Sequence, residues 1–176
     1  MKHFSYVEND EIGLLFNKTA GVHISQGNYS EALEWYYKAL AVVEKVLGTE
    51  HPDTATTYHN IASVYKNQGD YPKVLEWYSK ALVIYEKMLG REHPFTADTC
   101  NNTASIYKHN GDYPNALEWY AISSCIYMIK LGQNHSKTNT IYGNMLNTFV
   151  AHHGNDSGFA DWLSKQIGDF VGKSRK

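Results

Sequence analysis

The sequence predicts an all-α protein, a solenoid of about four stacked helix pairs. Three observations carry that reading. The chain repeats itself every 42 residues. Apolar residues within each repeat recur at the spacing of one helix face. Glycine and proline punctuate the repeats at fixed places.

The repeat is plain in Gly27-Asn28-Tyr29-Ser30-Glu31-Ala32-Leu33-Glu34-Trp35-Tyr36. It returns as Gly69-Asp70-Tyr71-Pro72-Lys73-Val74-Leu75-Glu76-Trp77-Tyr78, and again as Gly111-Asp112-Tyr113-Pro114-Asn115-Ala116-Leu117-Glu118-Trp119-Tyr120. Leu47-Gly48, Leu89-Gly90 and Leu131-Gly132 keep the same step, as do His51-Pro52, His93-Pro94 and His135-Ser136. Residues 1–11 are an N-terminal segment, and repeats occupy 12–53, 54–95 and 96–137. Residues 138–171 read as a degenerate fourth repeat with capping helices, followed by a frayed basic tail at 172–176.

Each repeat reads as two helices. In the second, Thr54 to Asn67 places Ala55, Tyr58, Ile61, Ala62 and Tyr65 on one face. Gly69 ends that helix, because glycine adopts the left-handed C′ conformation without steric cost. Pro72 opens the next near its N1 position, where a missing N–H costs nothing. Val74, Trp77, Tyr78, Ala81, Leu82, Tyr85 and Leu89 then form an apolar stripe, with Glu76, Lys80, Glu86 and Lys87 opposite. Gly90 stops this helix. One pair alone leaves its stripe uncovered, so neighbours must stack to complete a core. The last helix, about Phe159 to Val171, reads as a cap.

Tyr58, Ile61, Ala62, Tyr65, Val74, Tyr78 and Ala81 follow in order the pattern of the tetratricopeptide repeat, which this chain resembles. The long period and the signatures His51-Pro52-Asp53-Thr54-Ala55 and His93-Pro94-Phe95-Thr96-Ala97 are similar to the repeats of kinesin light chains. The resemblance covers roughly residues 12–150 and implies a right-handed superhelix whose first helices line a concave groove. It places His59, Asn60, Asn101, Asn102, Gly143 and Asn144, and in the first repeat Asn17 and Lys18, toward that groove. Asparagines then stand in register at Asn60, Asn102 and Asn144. The resemblance gives those three the task of holding a peptide main chain, since an amide both donates and accepts. Asparagine forms helices poorly, so three in register within helices need a reason; bonding to loops or to the adjacent helix is the other one. Lys66 with Asn67 and Lys108 with His109 lie further along. With Lys18 they give three cations, offset mainly by Asp98, a balance that suits acidic residues or a C-terminal carboxylate. The same lysines also read as helix-end residues complementing the dipole.

The third repeat breaks the charge pattern. Lys38 and Lys80, Glu44 and Glu86, and Lys45 and Lys87 give way to Ile122, Met128 and Ile129. That face must be covered, either by the C-terminal helix with Phe159, Trp162 and Phe170 or by a second molecule, as in a homodimer.

Composition excludes several classes. A net charge of −2 leaves no basic excess for nucleic acid. Cys100 and Cys125 are too few for a disulfide framework and read as free thiols in a reducing compartment. No apolar leader or membrane span is visible, so the expected location is the cytoplasm. His51, His93 and His135 stand one repeat apart and read as loop ligands for helix ends, and His152-His153 lacks metal-site partners. No phosphate loop, dinucleotide fingerprint or nucleophile elbow appears, so no enzyme, metal or cofactor is expected. The expected function is a protein-interaction module, an adaptor or scaffold binding an extended peptide. The alternatives are self-association through the Ile122, Met128 and Ile129 face, or a targeting arm of a larger protein.

Overall fold

The computed structural model describes the backbone of residues 2–174 and the side chains of residues 11–172. Among the described residues there are eight α-helices and no strand. They are α1 (Lys2–Ser25), α2 (Tyr29–Leu47), α3 (Pro52–Gln68), α4 (Tyr71–Met88), α5 (Pro94–His109), α6 (Tyr113–Leu131), α7 (Ser136–His153) and α8 (Phe159–Ser174). They fall into two compact units of two pairs each, Met1–Leu89 and Gly90–Lys176.

The punctuation acts as its chemistry dictates. Gly69 takes φ 77° and ψ 12°, and its N–H closes onto the carbonyls of Lys66 and Tyr65. Asp70 caps α4 by accepting from the Lys73 N–H at 3.3 Å, with Tyr71 at N1 and Pro72 behind it. His51, His93 and His135 are the N-caps of α3, α5 and α7. Their Nδ1 atoms accept from Asp53 N at 3.2 Å, Phe95 N at 3.1 Å and Lys137 N at 3.2 Å. The histidine before the proline is therefore the helix start itself, and α3 begins at Pro52, ahead of the Thr54 start read from periodicity.

In unit 1, α1 packs on α2, α2 on α3 and α3 on α4. Gly13 and Ala20 are buried small residues of α1, and a Cβ on Gly13 would stand 3.0 Å from Val43 Cγ1. Phe16 meets Trp35 at 5.4 Å between centroids, and Tyr58 meets Trp77 at the same distance, one repeat on. Ala55, Ala81, Ile84 and Tyr85 form the core of the second pair.

Unit 2 holds one continuous core. Tyr120, Ile126 and Tyr127 of α6, Met145 and Phe149 of α7, and Phe159, Leu163 and Phe170 of α8 join in it. The terminal helix departs from the pairwise pattern, because its backbone approaches α6. Its meeting with α7 is through rings: Phe149 lies 5.2 Å from Phe159 and 5.8 Å from Trp162. α8 runs on through Lys173 to Ser174, so the tail is helical there; Arg175 and Lys176 lie outside the described residues.

Candidate functional site

In unit 1 a cleft opens between the first helices of the two pairs. It encloses about 400 Å³ between α1 and α3 over a floor of α2. Leu14 and Asn17 come from α1, Val43 and Leu47 from α2, and Thr56 and Asn60 from α3, with Glu11 and Asp53 also on the wall. The two faces are tied by Asn17, whose Nδ2 donates to Thr57 Oγ1 at 3.4 Å. The Oδ1 of the same amide is buried without a hydrogen-bond partner in the chain. Such an acceptor carries a desolvation cost until a donor reaches it.

Asn60 lines this cleft, and His59 turns toward α4, with its ring 4.9 Å from that of Tyr78. Lys18 is exposed on α1, and Lys66 and Asn67 are exposed in the last turn of α3. The charge picture differs from the sequence reading, because Glu11 and Asp53 put two carboxylates at the N-terminal end of the cleft.

In unit 2 the corresponding face is α5 and α7. Asn101 and Asn102 are half-buried, and Asn101 Oδ1 lacks a partner in the chain just as Asn17 Oδ1 does, two repeats earlier. Lys108 is half-buried and His109 exposed at the end of α5. Asn144 is half-buried on α7, and its carbonyl accepts from Thr148 Oγ1 at 2.7 Å. Asp98 is engaged rather than free. It accepts from the Tyr127 hydroxyl at 2.5 Å and sits 3.4 Å from Lys137 Nζ. Burial, then the bond to Asp98, pushes the Tyr127 phenol well above its ordinary range.

Sequence reading missed the cleft floor. Asn17 was visible by its register with His59 and Asn101, but Val43 and Leu47 sit on a second helix whose inward residues read as ordinary core. The apolar break in α6 is largely covered. Ile122 packs against the unit 2 core, and Met128 shares a depression with Leu163 and Ile167 of α8, while Ile129 stays 48% exposed. Cys100 and Cys125 are free and buried, and burial raises the Cys125 thiol to about 11. Among the described residues no cluster of metal-ligating side chains occurs, and no helix is long and apolar enough to cross a membrane.

Tandem helix pairs with capped turns and an amide-lined inner face define a helical-repeat interaction module. A tetratricopeptide-repeat family model matches residues 11–87 and, overlapping, 55–123, so the chain belongs to the tetratricopeptide-repeat family. That family is one of protein–protein interaction scaffolds. No curated protein matches the chain. Among solved structures, it is similar to a Podosopora anserina protein of nearly identical TPR-like repeats, described as a kinesin light chain. The identity is 22% and the TM-score 0.74, over 94% of this chain and 77% of that one. A variant of that protein matches at 21% identity and TM-score 0.74, over 96% and 78%. BtubC (BKLC) from P. vanneervenii matches at 17% identity and TM-score 0.75, over 95% of this chain and 66% of that one. These likenesses establish the solenoid fold.

Proposed function

We propose that this chain is an adaptor that holds an extended segment of a partner protein against the inner faces of its first helices. The observation that carries the reading is the unit 1 cleft, where an apolar floor of Val43 and Leu47 lies beneath the amides of Asn17 and Asn60. An apolar ligand side chain would enter the floor. The Asn60 amide on the cleft wall would pair with ligand backbone, since an amide both donates and accepts. The ligand's acidic residues would be met at the Lys66 and Lys108 ends of α3 and α5, not beside Glu11 and Asp53. Two free, buried cysteines fit a reducing compartment such as the cytoplasm.

A displayed library of extended peptides, panned on the full chain, tests this. Peptides enriched on the natural sequence should lose at least about tenfold in affinity for the Asn60→Ala, Asn102→Ala variant, since each amide bond to backbone contributes about 1 kcal/mol. Circular dichroism should stay unchanged. Enriched peptides that bind the double variant equally well would place recognition elsewhere.

A further inference from the structure

The first repeat lacks a ring that the second and third both carry. Tyr85 of α4 and Tyr127 of α6 stand at the same register and are buried. Each reaches the first helix of its own pair. The Tyr85 hydroxyl meets Thr56 Oγ1 at 3.0 Å, and the Tyr127 hydroxyl donates to Asp98 Oδ1 at 2.5 Å. In α2 the tyrosine is replaced by Val43, and the α1 counterpart of Thr56 and Asp98 is Leu14. Both the ring and the group that would hold its hydroxyl are thus missing. Val43 and Leu14 line the unit 1 cleft, and Leu14 is 54% exposed.

The same cleft carries charge of one sign. Glu11 and Asp53 also share a register, and they face the cleft from α1 and α3, about one turn from Leu14 and Thr56. No lysine or arginine lines it. His51 Nδ1 lies 3.6 Å from the Asp53 carboxylate, but it accepts the Asp53 N–H and so holds no proton to neutralise that charge. At this register unit 2 has Phe95 and Lys137 instead.

Given the unit 1 cleft as the seat of a partner segment, on which this inference rests, we propose that it selects segments carrying a phenylalanine with an arginine or lysine within two residues of it. The phenyl ring takes the place of the tyrosine that α2 omits, and Leu14 offers nothing to a hydroxyl. The cation meets the Glu11 and Asp53 carboxylates, which complement it in sign. An extended segment sends residues i and i+2 to the same side, about 7 Å apart, close to the helical turn that separates the carboxylates from the apolar floor.

Panning the displayed library on the full chain tests the pairing, with two variants to read it. Peptides enriched on the natural sequence should carry the phenylalanine and the nearby basic residue. Val43→Tyr supplies the omitted ring and should weaken them at least about tenfold, by excluding one apolar side chain from the floor. The substitution suits the fold, since Tyr85 and Tyr127 share their cores with Ala55 and Ala97, and α1 has the smaller Gly13 at that register. The exposed pair Glu11→Gln, Asp53→Asn should weaken the same peptides about threefold and flatten the salt dependence of their binding. Circular dichroism should be unchanged in both variants. Enriched peptides that lack the phenylalanine and basic pair, or that bind both variants as well as the natural sequence, would overturn the inference. If such peptides still weaken on the Asn60→Ala, Asn102→Ala variant, the adaptor reading stands without it. Peptides indifferent to all three variants would remove both.

Discussion

α2 and α6 begin and end at equivalent residues and share the run Leu-Glu-Trp-Tyr, yet they are buried differently. α2 buries a single stripe, Ala32, Tyr36, Ala39, Leu40 and Val43. Its outer side is charged, and Lys38 lies 4.3 Å over the Trp35 ring. α6 is buried almost continuously from Tyr120 to Tyr127, with Ile122 in place of that lysine. The difference is a neighbour: α8 lies against α6 on the side that a solvated helix would charge. Repeat position thus sets where a helix starts and stops, while the neighbour sets which side chains it can carry.

Restoring the charge should have the largest effect. Ile122→Lys would bring an ammonium into the unit 2 core and should cost about 3 kcal/mol. The mirror change in α2, Lys38→Ile, loses only an exposed cation–π contact, no more than about 1 kcal/mol. Urea unfolding of the two variants measures both. Equal midpoints would mean that α8 does not close over α6.

A finer contrast lies in the next two residues, where α2 has Ala39 and Leu40 and α6 has Ser123 and Ser124. Ser123 Oγ donates to the Ala97 carbonyl at 2.7 Å, whereas Ser124 Oγ is buried with no partner in the chain. Ser123→Ala should therefore destabilise by about 1 kcal/mol, and Ser124→Ala should stabilise by a similar amount. If both changes move the unfolding midpoint in the same direction, the hydroxyls are equivalent and this account of α6 fails.

The parts of this fold that were legible from sequence are those set by local chemistry. Gly69 and Pro72 marked a turn because φ and the missing N–H act within a few residues. The charged-to-apolar change at Ile122, Met128 and Ile129 announced a covered face, with α8 as one of two candidate covers. What stayed hidden depends on several helices at once. Val43 and Leu47 become a cleft floor only when α1 and α3 stand apart above them. The threonine-to-glycine latch at Thr54 joins residues in different elements, and period counting sees only a conserved spacing. The candidate groove asparagines were legible as a pattern, while the partnerless oxygens of Asn17 and Asn101 needed atomic surroundings.

The last contrast concerns alkaline pH and again turns on α2 against α6. Glu44 of α2 accepts from the Tyr58 hydroxyl at 2.6 Å; the α6 counterpart of Glu44 is Met128. Burial first, then the bond to Glu44, raises the Tyr58 phenol to about 12. In the unfolded chain it ionises near its ordinary value of 10.0. The folded state therefore holds a proton that the unfolded state has released, and stability falls as pH rises from about 10 through about 12. Below pH 10 this contribution is fully present. Tyr58→Phe removes the group from the linkage, so the variant should lose less stability than the natural sequence over that interval. Met128→Ala in α6 removes no titrating group and should leave the alkaline slope unchanged while lowering stability at every pH. Urea midpoints at neutral pH and across the alkaline range measure both, and parallel curves for Tyr58→Phe and the natural sequence would remove Glu44 and Tyr58 as the source of the slope.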